Sequence, residues 1–268
     1  MRSIRCPLLA WCLLTLGSAA LAQDAETEPP RPPPRWPDGR ISFTGSPGEV
    51  GNWNGPAAAT LANNIRDGKV IVDRFNLPEN LTVEQVPFQP WARKLYDERQ
   101  TTLTKDDPHT RCKPSGGPRM FHTPYGFEVL ELPESREIIF LSVGNPHSWK
   151  VVHMDGRPHP ENLKPTAFGH SIGHWEGDTL VVDTIAFNDK FWITREGLPH
   201  TGQLHVIERI SRPEFDKLRY EATIDDPGAY TKSWSGGWFI PWGQDNEPFD
   251  YVCQENNLDP QRMVGPQQ

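Results

Sequence analysis

The stretch from Asp155 to Arg209 holds five of the nine histidines, His159, His170, His174, His200 and His205, interleaved with Asp178, Asp183, Glu208 and Arg209. Imidazoles titrate closest to neutral pH, and a carboxylate beside one fixes its tautomer and raises its basicity, so these residue types suit general acid–base chemistry. Within GHSIGHWEGDTLVVDT, a two-residue turn at Glu176-Gly177 sets His170 directly across a hairpin from Asp183, on one face. A three-residue loop pairs His170 with Thr184 instead. A His–Asp pair that merely braces a strand is the structural alternative.

Other groups extend the constellation. Glu208, in LHVIERI, shares a strand face with Leu204, Val206 and Ile210, where a carboxylate is either paired or raised in pKa. Arg209 projects to the opposite face with His205, and its ordinary role is an ion pair with a neighbouring strand. His200, in LPHTG, is placed in a loop at the mouth of a barrel, and DGRPHP at 155–160 is a turn followed by an extended rim. Tyr230, in DDPGAYT, supplies a phenol, while Trp175 and Trp192 are candidates to line a ligand cavity. The catalytic candidates are thus His170, Asp183, His200 and Glu208, and the ligand-binding candidates Trp175, Arg209, Trp192, Tyr230 and His205. His170 and His174 form HxxxH, but on a strand the two imidazoles stand roughly 13 Å apart at ~3.3 Å per residue, so no metal site or cofactor is expected there. A Gly-rich phosphate loop and a GxSxG elbow are both missing from the sequence, which argues against serine-triad hydrolysis.

These groups need strands to hold them. From Gly126 the pattern alternates with period two, and short turn clusters separate the candidate strands 127–132, 137–143, 148–154, 171–175, 179–187, 203–211, 218–225, 235–241 and 249–253. Many short strands without helices between them indicate a mainly β fold, an antiparallel lipocalin-like barrel or a sandwich, over residues 119–257. Residues 38–118 are punctuated by glycine and proline and read as an irregular wrap. It holds a short strand at 69–75 and one helix near 89–103, with Pro90 in its first turn and Trp91, Ala92, Leu95 and Leu103 on one side. Strand 179–187 is apolar on both faces, and the wrap is its expected cover.

The first 22 residues carry Arg2 and Arg5, a short apolar run and Ala20-Leu21-Ala22, the pattern of a secretory signal cleaved after Ala22. Residues 23–37 form a Pro-rich disordered leader, and 258–268 a C-terminal tail. Losing the two arginines takes the net charge from −8 to −10, which excludes the basic stripe that a nucleic-acid partner requires. The chain is therefore expected in the periplasm or outside the cell, without a transmembrane segment. Cys112 and Cys253 remain after cleavage, and in an oxidising compartment they most economically form one disulfide, two separate thiols being the alternative.

CKPSGGPR, DGRPHP, GHSIGHWEGDTLVVDT, FNDKFW, LHVIER, DDPGAYT and YVCQENN, in that order over roughly residues 85–257, resemble a widespread set of exported bacterial proteins. That resemblance carries no reaction with it. The GxWxGDT hairpin is similar to those of lipocalin-type barrels, which implies a fold and a central cavity for an apolar small molecule. Two functional expectations follow. One is a barrel that binds an apolar or aromatic small molecule in a central, tryptophan-lined cavity. The other is a cofactor-independent acid–base enzyme, an isomerase, lyase or hydrolase, built on a His–Asp pair. A third reading, an envelope protein tethered through its leader, is structural.

Overall fold

The computed structural model describes residues 29–253, apart from 47, 103–104 and 146–147. The expected signal segment, the start of the expected leader, Leu103 and the expected C-terminal tail lie outside the described residues.

The fold is mainly β. Its strands are β1 (Gly51–Trp53), β2 (Asn64–Arg66), β3 (Lys69–Ile71), β4 (Phe127–Leu132), β5 (Glu137–Ser142), β6 (Ser148–His153), β7 (His170–Glu176), β8 (Thr179–Ile185), β9 (His205–Glu214), β10 (Lys217–Asp225) and β11 (Trp234–Gln244), with one α-helix, α1 (Pro90–Gln100). Nine of them close a barrel in the order β1-β11-β10-β9-β8-β7-β6-β5-β4, and β2-β3 form a separate hairpin. Two features depart from the sequence reading. The wrap contributes a barrel strand, since β1 seals the gap between β11 and β4. The barrel is not antiparallel throughout, because β6 and β7 pair in parallel, with Val152 opposite Ser171 and His153 opposite Ile172. A parallel junction needs a crossover, and residues 154–169, including DGRPHP, supply it.

The strand expected at 249–253 does not form; that segment is irregular and brings Cys253 to Cys112, closing the disulfide. Helix α1 begins with Pro90 as expected, but its inward residues are Ala92 and Tyr96, while Trp91 is exposed and hydrogen-bonds Gly228 O. The wrap covers β11 rather than β8: Leu77 N donates to Gly237 O, Phe239 N to Phe75 O, and the Asn80 amide spans Thr60 O and Gly237 O. Gly236 permits this approach, because a Cβ there would lie 1.9 Å from Leu61 O.

The barrel interior is filled by side chains. A 3₁₀ segment, Gly117–His122, enters it with every residue buried. Phe121 packs at ring-centroid distances of 5.2 Å on Phe127, 5.1 Å on Phe140 and 4.6 Å on Tyr220, and so touches β4, β5 and β10 at once. Lys150 and Glu208 form a buried ion pair in the same space, and Tyr220 donates to Glu208 at 2.9 Å. Trp53, Trp192, Trp234 and Trp238 are buried and pack in the core.

Candidate functional site

The β7–β8 hairpin turns on Gly177 and Asp178, with Glu176 opposite Thr179. Gly177 takes the first turn position with φ +59°, a conformation that glycine adopts without strain. This places the turn one residue later than the sequence reading expects, so His170 lies opposite Ile185, and Asp183 opposite Ile172. The slip is by two positions, which preserves the face: His170 and Asp183 remain diagonal neighbours outside the barrel.

The gap between them is bridged by His159. Arg157 and His159 each precede a proline, which holds the crossover extended and carries His159 back over the sheet. Its Nδ1 is 2.8 Å from His170 Nδ1, and its Nε2 is 3.2 Å from Asp183 Oδ1. His205, outward from β9, places Nε2 2.8 Å from the same oxygen. His153, outward from β6, lays its ring 5.2 Å from that of His170. Its Nδ1 is 3.2 Å from Glu137 Oε1, close enough for attraction but not aligned as a hydrogen bond.

Donor and acceptor rules fix the protons. A carboxylate only accepts, so His159 and His205 both donate from Nε2 to Asp183. With His159 and His170 neutral, His159 Nδ1 holds a lone pair and His170 donates to it from its own Nδ1. His170 Nε2 then keeps a lone pair. Partial burial, and after it the neighbouring His159, His153 and Arg157, hold the His170 imidazole below its ordinary pKa, which keeps that lone pair available at neutral pH. When His170 takes up a proton, the charge is shared through His159 with Asp183, giving a neutral assembly of one carboxylate and one imidazolium. Among the described residues no set of three or more His, Cys, Asp or Glu converges as metal ligands do.

His170 and His153 form part of the wall of a cleft of about 250 Å³ on the outer face between β6 and the 166–171 segment, with Trp149, Val151, Thr166 and Phe168. The crossover thus delivers both the bridging histidine and one side of the cleft.

The remaining candidates lie elsewhere. Glu208 points into the barrel, on the opposite side of the sheet from His170, and is committed to Lys150 and Tyr220. Its apolar strand face marks a paired core group, not a catalytic acid. His200 is buried rather than at an open mouth, with Nε2 2.9 Å from Phe191 O and its ring against Phe191. Arg209 pairs with Glu176 at 2.7 Å on the neighbouring hairpin. Trp175 stacks on Phe43, Trp192 lies beneath the Arg99 guanidinium, and Tyr230 donates to Pro199 O. None of these reaches the cleft. His205 does join the cluster, through Asp183. His174 is exposed and meets only Glu176.

Sequence reasoning missed His153 and the role of His159. DGRPHP was legible as a rigid rim, but nothing in a turn motif shows which groups a crossover will wedge apart. A second imidazole pair was also unforeseen: His109 Nδ1 lies 2.8 Å from Ser115 Oγ, with Ser115 buried and further held by Asn145. This pair braces the CKPSGGPR turn.

Comparison with known proteins finds no matching family model, curated protein or solved structure.

Proposed function

We propose that this chain is an exported, cofactor-independent acid–base enzyme of isomerase, lyase or hydrolase type that acts on an apolar or aromatic small molecule. The observation that carries the reading is the hydrogen-bonded series His170–His159–Asp183, whose outer member, His170, lines a cleft. Such a series has the parts of a general base: an acceptor nitrogen, a hydrogen-bonded partner that orients the ring and a carboxylate to balance the incoming proton. The cleft places a C–H or O–H of a bound molecule against His170, and His153 stands beside it to return a proton. The disulfide agrees with an oxidising compartment, and among the described residues no helix is long and apolar enough to cross a membrane.

A pure carrier is the competing reading, favoured by the aromatic cleft wall. The test is turnover of small ring compounds from the host's own culture fluid, followed by mass spectrometry with wild type, His170→Gln and Asp183→Asn. An enzyme converts a compound that both variants bind but leave intact. If all three bind the same compound and none changes it, the acid–base reading is wrong.

A further inference from the structure

We infer that the molecule held in this cleft is a single uncharged ring, stacked on Trp149 and carrying a hydroxyl or carbonyl oxygen toward His170; the inference rests on the acid–base reading of the same site. Trp149 points outward from β6 with Val151 and His153, opposite Leu141 of β5. It is 56% exposed, the largest exposure of any described tryptophan, and its indole N–H makes no hydrogen bond with a described residue. The other exposed tryptophan, Trp91, donates to Gly228 O and lies away from the cleft. An exposed indole lining the same cleft as two imidazoles is a platform for a flat ring, since large aromatic faces favour stacked or edge contacts with other rings.

Size and charge narrow the occupant. A cavity of roughly 150 Å³ holds a benzene ring, so the 250 Å³ of this cleft accommodates one ring with a few substituent atoms. Among the described residues that line it there is no carboxylate. The one cationic residue, Lys150, is turned into the barrel against Glu208, with both side chains at most 2% exposed. Arg157, whose charge acts on His170, is engaged by Asp155 in a paired contact. Among the described residues that line the cleft no free carboxylate, ammonium or guanidinium is left to neutralise an anionic or cationic ligand, and burying an unpaired charge there is unfavourable. The polar groups that remain, His153, His170 and Thr166, suit a neutral oxygen.

The experiment uses 4-fluorophenol, 4-fluorobenzoate and a fluorinated naphthol as probes of the oxidised full-length protein, with binding read by ¹⁹F NMR line broadening and intrinsic fluorescence. Saturable binding of 4-fluorophenol is expected, with affinity for 4-fluorobenzoate lower by about tenfold or more, as expected for an unpaired charge. Trp149→Ala should weaken 4-fluorophenol by about tenfold and Trp149→Phe by less than about threefold, a loss expected of one stacked ring face. His170→Gln should leave stacking of the probe largely intact. Equal binding of benzoate and phenol, tighter binding of the naphthol, an unchanged Trp149→Ala affinity, or no saturable binding each overturns the inference. The two readings fail separately. Turnover that needs His170 while probe binding ignores Trp149 sinks only the ring assignment, whereas probe binding that needs Trp149 while turnover ignores His170 sinks only the acid–base reading.

Discussion

Acidification should destabilise this protein well before its carboxylates titrate, and the size of the effect follows from two imidazoles. His122 lies at the end of the 3₁₀ segment inside the barrel, with its ring 4.8 Å from that of Trp238 and neither nitrogen in hydrogen-bond geometry with a described residue. Burial first, and Arg119 second, push it down to about 3. Burial and then Arg119 likewise hold His109 down to about 4. Both values are depressed below the ordinary 6.5, so below about pH 6.5 the unfolded chain takes up protons that the folded one refuses. Their contribution is complete above that pH and drains away as pH falls toward 4 and 3. At about pH 4.5 each imidazole costs roughly 2.5 kcal/mol relative to about pH 7.5, on the order of 5 kcal/mol together. That is a large part of a typical domain's stability. Guanidinium unfolding of the oxidised protein, followed by tryptophan fluorescence across this pH range, measures it. His122→Phe keeps the aromatic contact with Trp238 and removes one titration, so its stability curve should fall less steeply, by roughly 2.5 kcal/mol at about pH 4.5. Taking the difference between variant and wild type cancels the carboxylates. Parallel curves for the two proteins would refute the reasoning.

Further outcomes follow from the same contacts. Two-dimensional ¹⁵N NMR of the imidazoles should show Nδ1–H on His170 and Nε2–H on His159 and His205, with the His159 and His170 signals changed most by Asp183→Asn; an Nε2–H His170 would break the proposed proton order. Glu208→Ala should cost about 3 to 5 kcal/mol because it strands the Lys150 ammonium inside the barrel, whereas Lys150→Met with Glu208→Leu should cost clearly less, as denaturant titration would reveal. Cys112→Ser should lower stability by about 5 kcal/mol on the loop-closure estimate for a separation of 141 residues, without altering the barrel's circular dichroism.

The strands were legible where two signals agreed, an alternating run and a turn cluster on either side. Phe127–Leu132 met both conditions and appears with those bounds. Gly51–Trp53 met neither: three residues opening on glycine carry no period, and only pairing with β11 and β4 makes them a strand. Residues 249–253 looked like a strand because Phe249 and Tyr251 alternate with polar neighbours, yet those rings pack on Tyr125. The site was half legible. Hairpin parity put His170 and Asp183 on one face whichever of the two adjacent two-residue turns formed. Their connection through His159 depends on a parallel crossover, a long-range choice with no local signature. Glu208 was correctly marked as unusual among aliphatic neighbours, but its partner, Lys150, lies 58 positions away.

The placement of β1 bears on how the chain reaches this state. A polypeptide delivered amino end first exposes residues 51–53 before the other barrel strands, yet their principal partner, Trp234–Gln244, emerges after all of them. Until then the cylinder has an open seam, with strand edges on β4 and β10 that invite pairing with other chains. Assembly is therefore a terminal event, and a holding chaperone would be most useful in the interval before the carboxyl end arrives.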